Sequence, residues 1–78
     1  MQGEFTSNHD ILKKVGVNIL KVRTAKNLTI EELSRKSGMD SGLLSNIELG
    51  LVDISFTTLL TLGDALEVSP SRILENVA

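Results

Sequence analysis

The 78-residue chain is one domain in length, too short to bury a large core alone, so oligomerisation is expected to support it. It has no cysteine, which excludes disulfides and thiolate metal sites, and its only aromatic residues are Phe5 and Phe56, so the core must be aliphatic. The net charge of −2 is unevenly spread: residues 1–36 hold seven basic residues and four acids, a local +3, whereas residues 37–78 hold Arg72 against six acids, a local −5. Such asymmetry points to one basic and one acidic face, the alternative being an ordinary mixed surface.

Residues 1–9 are polar and read as a flexible tail, and residues 10–78 as the folded domain. No run of apolar side chains exceeds two residues, so neither a membrane span nor a secretory signal is expected, and a cytoplasmic location follows. The first helical segment is expected from about Asp10 to Lys26. Ile11, Val15, Ile19 and Val22 form one stripe at helical spacing. Asn27 suits the left-handed residue that stops it. Thr29 with Glu32 three residues on makes a capping box for a second segment, ended by Gly38. Asp40 caps a third, from Ser41 to about Leu49, ended by Gly50. Ser55 opens a fourth, with Phe56, Leu59, Leu60, Leu62, Ala65 and Leu66. Ser69-Pro70 opens a fifth, with Ile73, Leu74 and Val77. Nothing reads as a strand, so the fold class is all-α.

The second and third segments, joined by Gly38-Met39-Asp40, have the pattern of a helix-turn-helix. The glycine lets the chain reverse without a Cβ clash. Leu33, Leu44 and Ile47 can then share a small core, which leaves the outer face of the third segment free for a DNA major groove about 12 Å wide.

From Gly16 to Leu74 the chain resembles the phage-repressor/Cro, or XRE, family of helix-turn-helix regulators. The runs that carry the likeness are Ile19…Val22-Arg23, Leu28-Thr29-Ile30-Glu31-Glu32-Leu33-Ser34, Gly38-Met39-Asp40, Leu44-Ser45-Asn46-Ile47-Glu48-Leu49-Gly50 and Leu59…Leu62…Ala65-Leu66-Glu67-Val68-Ser69. The run Asp53-Ile54-Ser55-Phe56-Thr57-Thr58-Leu59 is further similar to controller proteins of restriction-modification systems. The resemblance implies a five-helix, lambda-repressor-like fold and a transcriptional regulator that binds double-stranded DNA as a homodimer on a palindromic operator. A chain of 78 residues leaves no room for a separate sensor domain, so regulation by its own concentration is expected. It places base reading at Ser41, Gly42, Leu43, Ser45 and Asn46. It places backbone contacts at Thr29, Ile30, Arg35 and Lys36, an ion pair between Arg23 and Glu48, and dimerisation at Ile73, Leu74 and Val77.

Departures from the family pattern matter too. Ile30 stands where the family usually has a phosphate-binding glutamine, and residues 38–53 contain no Lys or Arg. DNA affinity comes largely from phosphate neutralisation, so it should be weak or rest on Lys13, Lys14, Arg35 and Lys36. Solubility is the plainer role for those four. Val17, Leu20, Leu49, Leu51 and Val52 are apolar where the family is usually polar. An alternative function is therefore a protein-protein interaction module, its partner held by Leu43, Leu49, Leu51 and Val52. No cofactor, metal site or catalytic constellation is expected. The single histidine, His9, lies in the tail, and Met39 reads as core filler.

Overall fold

The computed structural model describes residues 8–77. Among these there are five helices and no strand: α1 (Asn8–Ala25), α2 (Ile30–Ser37), α3 (Ser41–Glu48), α4 (Phe56–Leu66) and α5 (Pro70–Ile73). The first seven positions of the expected tail lie outside the described residues. Asn8 and His9 are helical, so α1 begins two residues earlier than its apolar stripe suggested.

The stripe itself faces inward. Val15, Ile19 and Val22 join Leu33, Leu44, Ile47, Leu59, Leu62, Leu66, Ile73 and Val77 in one aliphatic core, with Ile11 and Met39 packed at its edge. Helix α1 packs on α3 and α5, and α2 on α3 and α4.

Local chemistry sets the boundaries. Asn27 stops α1 in the left-handed region at φ 58°. The Glu32 N–H donates to Thr29 Oγ1 at 3.0 Å, and the Thr29 N–H donates to Glu32 Oε1 at 2.8 Å, which closes the capping box. Gly38 ends α2 at φ 72°. The Asp40 carboxylate accepts the Leu43 N–H at 3.1 Å to open α3, and Ser55 Oγ accepts the Thr58 N–H at 3.0 Å to open α4. Two details differ from expectation. Helix α4 ends on Glu67 at φ 60°, a left-handed residue that is neither Gly nor Asn. Helix α5 lasts four residues, and its Ser69 makes no side-chain cap. Its C-terminus is instead tied down by α1, where Asn18 Nδ2 donates to the carbonyls of Ile73 and Glu75 at 2.7 and 2.8 Å.

The tightest crossing is between α1 and α3. A Cβ on Gly16 would lie 2.4 Å from the Glu48 carbonyl oxygen and 2.5 Å from that of Ile47. A Cβ on Gly50 would lie 2.7 Å from Lys13 Cα. Only glycine allows the two backbones so close.

Two predictions follow from these contacts. Gly16→Ala should destabilise the domain by about 1–3 kcal/mol, because the clash is with backbone that cannot rotate away; a lowered thermal midpoint checks this. Glu32, whose carboxylate is held ionised first by the Thr29 backbone N–H, has its pKa lowered. Its stabilisation is therefore full above the ordinary glutamate pKa and is lost as pH falls through the lowered folded value. Acid melts should show this loss in the wild type and a flatter profile in Glu32→Gln.

Candidate nucleic-acid interface

Helix α3 owes its placement to three constraints. Leu44 and Ile47 are buried on its inner side. The Gly16 crossing fixes its distance from α1. An ion pair fixes its rotation: Arg23 Nε–H donates to Glu48 Oε2 at 2.6 Å and Nη2–H to Oε1 at 3.0 Å. The third donor, Nη1–H, reaches the Leu28 carbonyl at 2.8 Å. One guanidinium thus ties α1, the loop before α2 and the end of α3 together. The side chains are only 12% and 8% exposed, so the bidentate geometry operates largely out of water. The hydrogen bond that Arg23 donates to Glu48 raises the Arg23 pKa, burial opposes it, and the charges of Glu48 and Glu31 add to the rise.

The outer side of α3 is left to solvent. Gly42, Leu43 and Asn46 are exposed, while Ser41 and Ser45 are half-buried on its flank. Five expected base readers therefore fall on one helix, three of them exposed. No charged side chain stands on this line: Glu48 is turned inward to Arg23, and the exposed Asp40 precedes the helix as its N-cap, its carboxylate accepting the Leu43 N–H.

The expected backbone residues separate. The capping box occupies the N–H groups of Thr29 and Glu32, which leaves the Ile30 and Glu31 amides at the start of α2. The Ile30 side chain packs against the core. Arg35 is exposed. Lys36 lines a groove with Lys26, Leu28 and the end of α4 at Ala65 to Glu67, and so lies on the α4 side of α2. Lys13 is exposed and backs directly onto Gly50, just beyond α3.

The expected dimer residues also separate. Ile73 is 0% and Val77 7% exposed within this single chain, because the C-terminal segment folds back onto α1 and α4. Leu74, at 44%, stays at the surface. Of the surplus apolar residues, Val52 packs on the core, whereas Leu49 and Leu51 are 61% and 62% exposed. The exposure of Leu49 was expected from sequence, as part of an apolar contact patch, but the Asn18 clamp was not. Asn18 carried no signal, since its partners are backbone atoms 55 and 57 residues away.

Residues 19–73 match the helix-turn-helix family HTH_3. This chain belongs to that family. It is 40% identical over 60 residues to the uncharacterized HTH-type transcriptional regulator y4dJ of Sinorhizobium fredii, a match covering 77% of this chain and 78% of the relative. Among solved structures it is similar to the restriction-modification controller protein C.AhdI from Aeromonas hydrophila. That match has 34% identity and a TM-score of 0.78, and covers 80% of this chain and 94% of the other. It is also similar to the clp gene regulator ClgR from C. glutamicum, with 27% identity, a TM-score of 0.81, and coverage of 86% and 87%. As an HTH_3 member of the XRE type, the chain is a DNA-binding transcriptional regulator and not an enzyme. None of the helices among its described residues is long and apolar enough to cross a membrane.

The ion pair supplies a test of this architecture. Arg23→Ala leaves the Glu48 carboxylate and the Leu28 carbonyl without their donor in a nearly dry site. It should lower stability by about 3 kcal/mol, measured by denaturant unfolding. Unchanged stability would show that α3 does not depend on the pair.

Proposed function

We propose that this regulator binds double-stranded DNA sequence-specifically as a homodimer on a palindromic operator, and that it acts on its own transcription. The observation that supports this most is the state of α3. Its inner side is locked by core packing and the Arg23 ion pair, while its outer side leaves Gly42, Leu43 and Asn46 exposed. A rigid helix with a free, uncharged face suits insertion into a major groove.

In this reading Asn46 is the principal reader, since its amide can accept and donate at once to adenine N6 and N7. Ser41 and Ser45 bond bases or phosphates from the flank, and Leu43 meets a thymine methyl. Backbone anchoring comes from the Ile30 and Glu31 amides, Thr29 and Arg35, with Lys13 at the far end of α3. Lys36 contributes to the general field rather than to a contact beside α3.

The dimer rests on exposed apolar side chains at the α4–α5 end. Leu74 is the member of the expected set still available, and Leu60, 43% exposed on α4, is a second. A two-fold dimer would set its recognition helices about 34 Å apart, one turn of DNA, and hence half-sites about ten base pairs apart. Autoregulation is supported by the likeness to a controller protein. The protein-module alternative is weakened because Val52, one of its contact residues, is folded inward.

A mobility shift with the chain's own upstream region, at two salt concentrations, tests the reading. A specific, salt-sensitive shift is expected. Asn46→Ala should keep its thermal midpoint and lose roughly 10- to 100-fold in preference for the operator over random DNA. Sedimentation equilibrium should give a dimer that Leu74→Glu converts to a monomer. No shift at micromolar protein and low salt removes the proposal.

A further inference from the structure

The base-reading face contains a residue outside the set expected from sequence. At about 100° per residue, Leu49 falls roughly 20° from Gly42 and 60° from Asn46 around the helix axis. It caps α3 in right-handed helical conformation, so it continues the outer line rather than turning away. At 61% exposed it is more accessible than Leu43 at 41%. From Gly42 to Leu49 the line spans roughly 10 Å at 1.5 Å per residue, about three base steps.

The chemistry of this line is narrow. It offers one amide, Asn46, and two branched aliphatic ends, Leu43 and Leu49. It has no guanidinium or ammonium to make the bidentate contact to guanine O6 and N7. The one carboxylate between Gly42 and Leu49, that of Glu48, is held by Arg23, and the exposed Asp40 carboxylate lies before the first turn, where its Oδ2 accepts the Leu43 N–H, so no carboxylate stands on the line to accept from cytosine N4. A Cβ added at Gly42 would touch nothing but Asp40 Oδ2, at 3.0 Å, and its absence lets the helix approach the base edges closely. In the major groove the one apolar group that a leucine can bury is the methyl at pyrimidine C5.

Resting on the DNA-binding reading above, we infer that Leu49 and Leu43 read C5-methyl groups of pyrimidines on either side of the base held by Asn46. The specificity of α3 is therefore for a methyl-bearing half-site, with Leu49 as a specificity-determining residue. Two sources carry this group, thymine and 5-methylcytosine.

The test is selection by the full chain from two random duplex pools, one unmodified and one with 5-methylcytosine throughout. A thymine-containing consensus from the unmodified pool assigns the methyl to thymine. A consensus from the methylated pool alone assigns it to 5-methylcytosine. Either supports the inference. Removing the methyl at each consensus position in turn, with uracil or plain cytosine, should weaken binding about fourfold at the read positions, the effect of one buried methyl. In Leu49→Ala, which should keep its thermal midpoint because the side chain is exposed, the effect should vanish at one position and persist at the other. If it persists at both, Leu49 is not a reader. A consensus of G·C pairs insensitive to methyl removal overturns the methyl reading and leaves DNA binding standing. If neither pool yields a retained duplex at low salt, DNA binding itself fails and the inference falls with it.

Discussion

Gly16 lets the backbone of α1 approach the last carbonyls of α3, and Arg23, two turns further along α1, reaches the same end of α3 to grip Glu48. One contact sets the distance between the helices and the other sets the rotation of α3. Everything functional about the domain is a consequence of that pair of contacts. They decide which side of an eight-residue helix is spent on the core and which remains outside. A helix so short has little stability of its own, so its orientation must come from tertiary packing.

The ion pair has a second consequence, which concerns charge. By holding Glu48 inward, Arg23 removes a carboxylate from beside the outer face of α3. At the other end of α3 the exposed Asp40 carboxylate accepts the Leu43 N–H at the cap, before the helix begins. The reading surface is then neutral, and the cations that attract a phosphate backbone must come from neighbouring elements. Lys13 is suitably placed, because α1 crosses the end of α3 at Gly50. On the proposed reading, affinity and specificity are divided between elements: α1 and the start of α2 would supply phosphate contacts, whereas α3 would supply shape and methyl or amide recognition.

Much of this was legible along the chain because the determinants are local. A capping box needs residues three apart, a left-handed stop needs Gly or Asn, and a helical stripe needs spacings of three and four. All are visible as runs of letters, and Thr29–Glu32, Asp40, Ser55, Gly38 and Asn27 behave as those rules require. Where the local rule is weak, the reading slips. Glu67 adopts the left-handed region with no propensity to announce it, and α1 begins at Asn8, ahead of the first residue of its stripe.

The sequence by itself determined the helix count, the turn chemistry, the aliphatic core and the family, because each depends on neighbours within a few residues or on ordered motifs. Only the tertiary structure decided which exposed side chains are available for work. Ile73 and Val77 look like interface residues in a list of apolar positions, yet they are consumed by the chain's own core once Asn18 folds the C-terminal segment onto α1. Leu49 looks like a stray surface leucine until the C-cap geometry aligns it with Gly42 and Asn46. Which apolar residues of the C-terminal segment are buried depends on contacts between residues tens of positions apart, such as that of Asn18 with Ile73, and no local pattern encodes those.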